Sequence, residues 1–162
     1  MTVIPDTSPL ILLAKIEQLE LLSALYDAIW VPQSVLDEVR VRNQSDTESI
    51  ERWCHEQWHI SVGQPSDFPL QTLPAELGAG ERAAIALAME READLVILDD
   101  QEGRRLARAK GLSVTGTIGV LVEARARGHI SSLRRELDRV VEAGLWISET
   151  FYDRLLQEFG ES

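Results

Sequence analysis

Residues 94–100 read DLVILDD: four consecutive aliphatic residues followed directly by two carboxylates. An aliphatic run without alternation is typical of a strand buried on both faces, as in a parallel sheet between two layers of helices. In open α/β sheets the ligand site lies just beyond the carboxyl ends of the strands. Asp99 and Asp100 therefore occupy the expected position of a functional site. The alternative is structural: Asp99 could cap the next helix, with Glu102 as its capping-box partner.

Strand-like and helix-like segments alternate along the rest of the chain. Strands are predicted at 3–5, 29–31, 58–62, 95–98 and 112–114, the third of them at a sheet edge. Helices are predicted just after residue 8, at 17–26, from residue 32, and at 42–56, 80–92, 101–110, 118–127, 131–143 and 148–159, with a loop at 63–74. This alternation predicts an α/β fold, a three-layer sandwich with a central, mostly parallel sheet flanked by helices. A length of 162 residues predicts one domain, 1–162, with a core at about 3–128 and C-terminal helices at about 131–159.

Composition limits the classes of function. A net charge of −11 argues against a protein that holds nucleic acid by overall electrostatics, but it allows local binding around a cation and suits a basic partner. The single cysteine, Cys54, excludes an internal disulfide framework, and with His55 and His59 it supplies too few ligands for a closed zinc site. No run approaches the roughly 20 apolar residues of a membrane span, and the N-terminus has no basic leader region. We therefore expect no membrane association and a cytoplasmic protein.

Glu81 lies in the first turn of the helix predicted at about 80–92. The apolar residues that follow it by three, four, seven and eight positions are Ala84, Ile85, Ala88 and Met89. This spacing places Glu81 at the centre of the buried face. A carboxylate there is costly unless it is paired or bound to a cation, although the helix dipole offsets part of the cost. The alternative is a glutamate whose oxygens accept backbone N–H groups of that first turn.

Two further carboxylates are expected beside the same edge of the sheet. Asp6 follows the first strand, which Pro5 should end; there it ligates a cation or caps the next helix, with Ser8 as the other candidate cap and Pro9 at the first helical position. Glu38 lies on the shoulder of the apolar face of the third helix and can reach the end of the sheet. Asp37 points nearly opposite to that face and should be solvated.

Several carboxylates at one edge favour a cation. Such a cluster repels itself and raises some of its own pKa values, so a compensating cation is the main way to tolerate it. Oxygen ligands alone favour Mg²⁺ or Mn²⁺ over zinc. No histidine, serine or cysteine is clearly placed as a nucleophile, since His129 is expected at the surface, which leaves metal-activated water as the attacking group. Thr115 and Thr117 follow the last strand, where they cap a helix or position a metal-bound water.

Five short stretches carry a further signal. They span about residues 3–128 and read DTSPL (6–10), VPQSVLDEV (31–39), LGAGERAAIALA (77–88), LDD (98–100) with RRLA (104–107), and GTIG (116–119). In this order they resemble the PIN domain, a family of metal-dependent ribonucleases, and more narrowly its toxin-like bacterial and archaeal branch. The resemblance implies an acidic site for one or two Mg²⁺ or Mn²⁺ ions and hydrolysis of RNA phosphodiester bonds, often by the toxin of a toxin–antitoxin pair.

The resemblance also implies roles for particular residues. The catalytic residues would be Asp6, Glu38, Glu81 and Asp99. The metal ligands would be Asp6, Glu81, Asp99 and Asp100, the last in place of Asp99 or beside it. The basic residues best placed to meet the RNA backbone, unless they form ordinary solvated helix faces, are Arg82, Arg104, Arg105 and Arg108. The expected partners are RNA, a small basic antitoxin and a second copy of the chain.

Two departures from the family pattern and two rival functions stay open. Many PIN domains have a further aspartate where this chain has Thr115 or Thr117, which leaves a second metal open, and Pro5 in the first strand is unusual. One rival is a module of the same fold that binds RNA or protein without turnover, which the net charge and the missing acid favour. The other is a receiver-like phosphoacceptor, which needs a lysine after the last strand; residues 112–119 contain none.

Overall fold

The computed structural model describes residues 1–42 and 44–162. Its strands are β1 (Thr2–Pro5), β2 (Ala28–Pro32), β3 (Ile60–Gly63), β4 (Leu95–Ile97) and β5 (Val114–Thr115). Its helices are α1 (Thr7–Lys15), α2 (Glu20–Leu25), α3 (Gln33–Arg42), α4 (Gln44–Glu56), α5 (Asp67–Gln71), α6 (Ala79–Glu90), α7 (Gln101–Ala109), α8 (Thr117–Ala126), α9 (Leu133–Glu142) and α10 (Glu149–Glu158). Among these, none has both the length and the apolar character that crossing a membrane requires.

The described strands form one parallel sheet in the order β3-β2-β1-β4-β5. The chain builds β1, β2 and β3 outward in one direction and then returns to add β4 and β5 on the other side of β1. The order therefore reverses between β1 and β4, which is where open α/β sheets bind their ligands. The backbone N–H of Asp6 donates to the Ile97 carbonyl at 2.9 Å, so the ends of these two strands stay adjacent.

Alternate residues of the strands face two different helical layers, as the pleat of a strand requires. Val3 and Ile97 pack in a large apolar cluster with residues of α1 to α4 and α8 to α10. Ile4 and Val96 point to the opposite face, where they pack with α6 and α7. All four are fully buried. The predicted three-layer α/β sandwich is confirmed.

Most predicted elements are present, and β3 is an edge strand as expected. Pro5 is the last residue of β1, as predicted. The prediction of Pro9 at the first helical position is wrong, because α1 begins at Thr7 and Pro9 is its third residue. The first four N–H groups of a helix have no partner inside it, so proline is tolerated throughout the first turn. The predicted loop at 63–74 is also wrong, because it contains the helix α5. Pro69 is the third residue of α5, so it too lies in a first turn, where proline is tolerated.

Other boundaries shift for local reasons. α2 begins at Glu20 instead of residue 17, because Glu17 has a left-handed backbone with φ of 57°. β5 begins at Val114, two residues after its predicted start, because its pairing with β4 begins where Val114 lies opposite Val96. Asn43, inside the predicted 42–56 helix, lies outside the described residues. Finally, α6 is buried nearly all round, including Ala86 on the side opposite its predicted stripe, since it packs against the sheet, α3 and α5.

Candidate active site

Asp6 is the most buried carboxylate at the carboxyl edge of the sheet. It follows β1 directly and is 5% exposed. Its Oδ1 is buried and has no hydrogen-bond partner among the residues that the structure describes. Burial is the main cause that raises the pKa of Asp6 to about 7; the backbone N–H of Thr7 opposes the rise, and the carboxylates of Glu81 and Glu38 add to it. Asp6 begins α1 as its N-cap residue, but its side chain forms no capping hydrogen bond, and Ser8 lies inside the helix.

Glu38 reaches this edge from α3. Its side chain is 32% exposed, whereas that of Asp37 is 59% exposed, so α3 has the predicted orientation. The hydroxyl of Thr7 donates to Glu38 Oε2 at 2.5 Å. Arg42, one turn further along α3, places Nη1 at 3.8 Å from Glu38 Oε1 and donates to the Ser8 hydroxyl at 3.4 Å. Arg42 thus brings a positive charge to the group of acids.

The first turn of α6 closes on these two acids through Gly80. A Cβ on Gly80 would lie 3.2 Å from Asp6 Oδ1 and 2.9 Å from Thr7 Oγ1, and it would overlap Glu38 Oε2. A larger residue here would force the side chains of Glu38 and Thr7 to shift, so the glycine lets the helix approach these acids with the side chains in place. The neighbouring Glu81 is half-buried. Burial, followed by the charges of Asp100 and Glu38, raises the pKa of Glu81 above its usual value.

Asp100 is the N-cap of α7, so the interpretation of Asp99 as that cap is wrong. Asp100 Oδ2 accepts the N–H of Gly103 at 2.8 Å, and Glu102 pairs with Arg105 instead of completing a capping box. A Cβ on Gly103 would lie 3.1 Å from Glu81 Oε2 and 3.6 Å from Asp100 Oδ2. The structure therefore brings Asp100, which is exposed, next to Glu81.

Asp99 turns instead towards α8. Its two oxygens accept hydrogen bonds from the backbone N–H of Thr117 at 2.7 Å and from the Thr117 hydroxyl at 2.6 Å. The cap of α8 is Gly116, so the capping interpretation of Thr115 and Thr117 is also wrong: buried Thr117 is the first helical residue, and its hydroxyl is bound to Asp99. Thr115 points its Oγ1 at Gly119, where an added Cβ would overlap it.

The four arginines predicted to meet RNA do not share one surface. Arg82 donates from Nη2 to the Leu70 carbonyl at 3.0 Å and so faces α5. Arg104 donates from Nη1 to the Leu98 carbonyl at 3.0 Å, beside Asp99. Burial and the nearby charge of Arg108 lower the pKa of Arg104. Arg104, Arg105 and Arg108 line one cavity of about 460 Å³, which leaves Arg82 apart.

A family profile described as a PIN domain matches residues 2–161. The chain belongs to the PIN domain family. This match confirms the resemblance seen in the sequence, and PIN domains are generally nucleases that use divalent metal ions. A PilT N-terminus domain protein from the hyperthermophilic archaeon Sulfolobus solfataricus P2 is similar in structure: it is 14% identical, with a TM-score of 0.49, over 76% of this chain and 93% of that one. No curated protein matches the sequence.

The carboxylates of this PIN domain match a hard divalent cation in chemistry but do not converge on one point. Among residues 1–42 and 44–162, no three His, Cys, Asp or Glu side chains are arranged to hold a metal ion. The buried Oδ1 of Asp6 nevertheless has no hydrogen-bond partner among the described residues, and an oxygen-seeking cation would compensate for that loss. Glu38 and Glu81 are only half-buried, so both have room to rotate towards such an ion. The residues present therefore fit the metal that the family generally uses.

Three residues of the PIN site were missed in the sequence. Thr7 orients Glu38, and its position directly after Asp6 was the available signal. Arg42 lies four residues after Glu38, a spacing at which helix side chains of opposite charge meet. Gly80 lies in the family-like stretch 77–88, but its closeness to the acids appears only once α6 packs beside β1 and α3. Cys54, by contrast, is buried, and burial raises the pKa of its thiol to about 12, so it is an inert core residue.

Proposed function

We propose that this PIN domain is a metal-dependent endoribonuclease that hydrolyses RNA phosphodiester bonds and acts as the toxin of a toxin–antitoxin pair. One observation carries the proposal: Asp6 Oδ1 is buried without a hydrogen-bond partner in the described part of the chain, where Glu38 and Glu81 also lie. A protein of marginal stability keeps such a destabilising group mainly for function.

Mg²⁺ or Mn²⁺ would be held by Asp6, Glu38, Glu81 and Asp100. We prefer Asp100 to Asp99 as a ligand because Asp100 caps α7 with its Oδ2 and keeps Oδ1 for a cation. Both oxygens of Asp99, in contrast, accept hydrogen bonds from Thr117, the first residue of α8. When bound, a divalent cation lowers the pKa of water and compensates charge on the scissile phosphate.

The protein's own residues position these groups. The Thr7 hydroxyl holds Glu38 towards Asp6, and the end of β1 fixes Asp6 beside β4. Arg42 lowers the pKa of both Asp6 and Glu81, so it favours their ionised forms and offers a contact to a phosphate group. Asp99 ties the end of β4 to α8, which keeps that side of the site in place.

The partners that we propose are RNA, a small basic antitoxin and a second copy of the chain, in the cytoplasm. The net charge of −11 supports the antitoxin, because a basic tail would be attracted to this protein as a whole. RNA, in contrast, must be bound by local positive charge, such as that of Arg104, Arg105 and Arg108 on α7.

The test is Mn²⁺-dependent cleavage of RNA by the purified wild type and Glu81→Gln, with Glu76→Gln as the matched control. Glu76 is an exposed glutamate shortly before α6. We expect Glu81→Gln to abolish cleavage while its circular dichroism spectrum stays native, and Glu76→Gln to cleave like the wild type. Full activity of Glu81→Gln would refute the assignment of Glu81. A wild type that binds RNA but never cleaves it would favour the binding module.

A further inference from the structure

Three cavities follow one another along the carboxyl edge of the sheet. The first, about 340 Å³, lies beside α1 and is called the α1 cavity. It shares Asp99 and Leu145 with the second, about 480 Å³, which we call the Trp146 cavity. The Trp146 cavity in turn shares Gln101 and Arg104 with the third, the α7 cavity described above. Because neighbours share wall residues, the three cavities lie side by side past the end of β4, and we call the row of three the groove.

Positive charge lies at both ends of this groove. The α7 cavity carries Arg104, Arg105 and Arg108 against one acid, Glu102, which pairs with Arg105. The α1 cavity carries Lys15 and Arg42 against one acid, Asp99. Arg104 makes no salt bridge with any residue in the part of the chain that the structure describes. In a protein with a net charge of −11, these cations are concentrated where a polyanion crossing the acidic edge would need them.

Trp146 stands between the two ends. It is 81% exposed, although the residues on either side, Leu145 and Ile147, pack against the core and fix the backbone. Trp146 lines the Trp146 cavity together with apolar residues such as Phe151 from α10 and Val122 from α8. An exposed tryptophan on an apolar wall beside arginines is the combination with which proteins bind single-stranded nucleic acid, since rings stack on bases while arginines contact phosphates.

We propose that the Trp146 cavity is a nucleobase subsite, in which Trp146 stacks on one unpaired base of the RNA while the α7 arginines hold the adjoining phosphates. This inference rests on the proposed ribonuclease function. It adds the path of the RNA across the protein and the residue that stacks on a base. Gln101 and Ser148 on the cavity wall offer polar groups to the edge of the base. A base within a duplex cannot reach this wall, so the subsite selects single-stranded RNA.

The test uses the full chain in EDTA and a short fluorescent 2′-O-methyl RNA, which resists cleavage. Binding is measured by fluorescence anisotropy for the wild type, Trp146→Ala and Trp58→Ala. Trp58 is a matched control because it is 93% exposed and precedes β3, at the sheet edge opposite to β5. Loss of one base–aromatic stack should raise the Kd of Trp146→Ala by roughly 5- to 100-fold. Trp58→Ala should stay within about twofold of the wild type.

An abasic oligonucleotide separates stacking from other effects. In a series of oligonucleotides, each lacks the base at one position. One member of this series should bind the wild type as weakly as the intact oligonucleotide binds Trp146→Ala. Combining that oligonucleotide with Trp146→Ala should weaken binding no further, because the two changes remove the same contact.

The outcomes are distinct for the subsite and for the ribonuclease. If Trp146→Ala binds and cleaves RNA like the wild type, the subsite is refuted and the ribonuclease stands. If the wild type neither binds the oligonucleotide nor cleaves RNA with Mn²⁺, both are refuted. If the wild type is a dimer by light scattering and Trp146→Ala is a monomer with unchanged oligonucleotide affinity, a second copy of the chain covers the cavity and the subsite is again refuted.

Discussion

Asp6→Asn should stabilise the metal-free protein at alkaline pH. The pKa of Asp6 is raised from 3.8 to about 7 in the folded protein, chiefly by burial. As the pH rises, the unfolded chain therefore loses its Asp6 proton first, and the folded state binds more protons between these two values. Stability falls as the pH rises through this window, and the loss is complete above the folded pKa. Asparagine cannot ionise and so escapes the loss.

The magnitude follows from the difference between the two pKa values. Each pKa unit corresponds to about 1.4 kcal/mol, so the full penalty is on the order of 4 kcal/mol. Relaxation of the site and entry of water would reduce it, and we expect Asp6→Asn to gain about 2–4 kcal/mol at pH 8. At pH 4 wild-type Asp6 is protonated in the folded state and half-protonated in the unfolded one, so the gain should be under about 1 kcal/mol. For a domain of this size the gain at pH 8 raises the midpoint by about 5–15 °C.

The assay is thermal and urea unfolding in EDTA, followed by circular dichroism at pH 4, 6 and 8. Asp37→Asn is the control, since Asp37 is an exposed aspartate on the neighbouring α3 and should change stability by no more than about 0.5 kcal/mol. Equal stability of Asp6→Asn and the wild type at pH 8, or a gain that is larger at pH 4, would refute the view that an ionised Asp6 is unfavourable in the metal-free fold.

Four further predictions concern metal binding, the role of Asp99, catalysis and the C-terminus. Mn²⁺ at a hundredfold excess over its Kd should stabilise the wild type by about 2.7 kcal/mol, a midpoint rise on the order of 5–10 °C. Asp99→Asn should lower the midpoint with and without Mn²⁺ and leave the rise intact; a blunted rise would make Asp99 a ligand in place of Asp100. Glu38→Gln should impair RNA cleavage far more than Asp37→Asn, and equal rates would contradict the role of Glu38. Glu161→Gln should destabilise by roughly 1–3 kcal/mol at pH 7, because the carboxylate accepts four hydrogen bonds, from Arg125, Ser132 and two backbone N–H groups of α9. The pKa of Glu161 is lowered from 4.5 to about 2, so this difference should shrink as the pH falls between those values; a constant difference would contradict the charge-based account.

The layers of the fold could be predicted because they depend on local patterns. The buried run at 95–98 indicated a parallel sheet, and the order of strands and helices indicated the sandwich. The position of Glu81 on the inward face of its helix followed from helical periodicity, and its raised pKa, caused first by burial, agrees with that environment. The orientation of Asp37 and Glu38 followed from the same rule.

The division of roles between Asp99 and Asp100 could not be predicted. Each could cap the following helix, and local sequence does not distinguish them. The distinction comes from Thr117, 18 residues further on, whose N–H and hydroxyl occupy both oxygens of Asp99 and leave the cap to Asp100. The groove at Trp146 was likewise hidden, because it is formed by α7, α8 and the segment before α10 only after they pack together.

The acids are stabilised by helix ends as well as by Arg42. Gly80, Gly103 and Gly116 lie at the N-termini of α6, α7 and α8, and each lets a carboxylate approach where a Cβ would crowd it. A helix N-terminus carries partial positive charge, which stabilises an anion by about 0.3–1 kcal/mol at exposed sites. Arg42 adds one full positive charge. These effects together do not restore the usual pKa of Asp6, which burial raises to about 7. The negative charge of the site is therefore least compensated at Asp6, its most buried acid. A divalent cation bound there would stabilise the folded protein most.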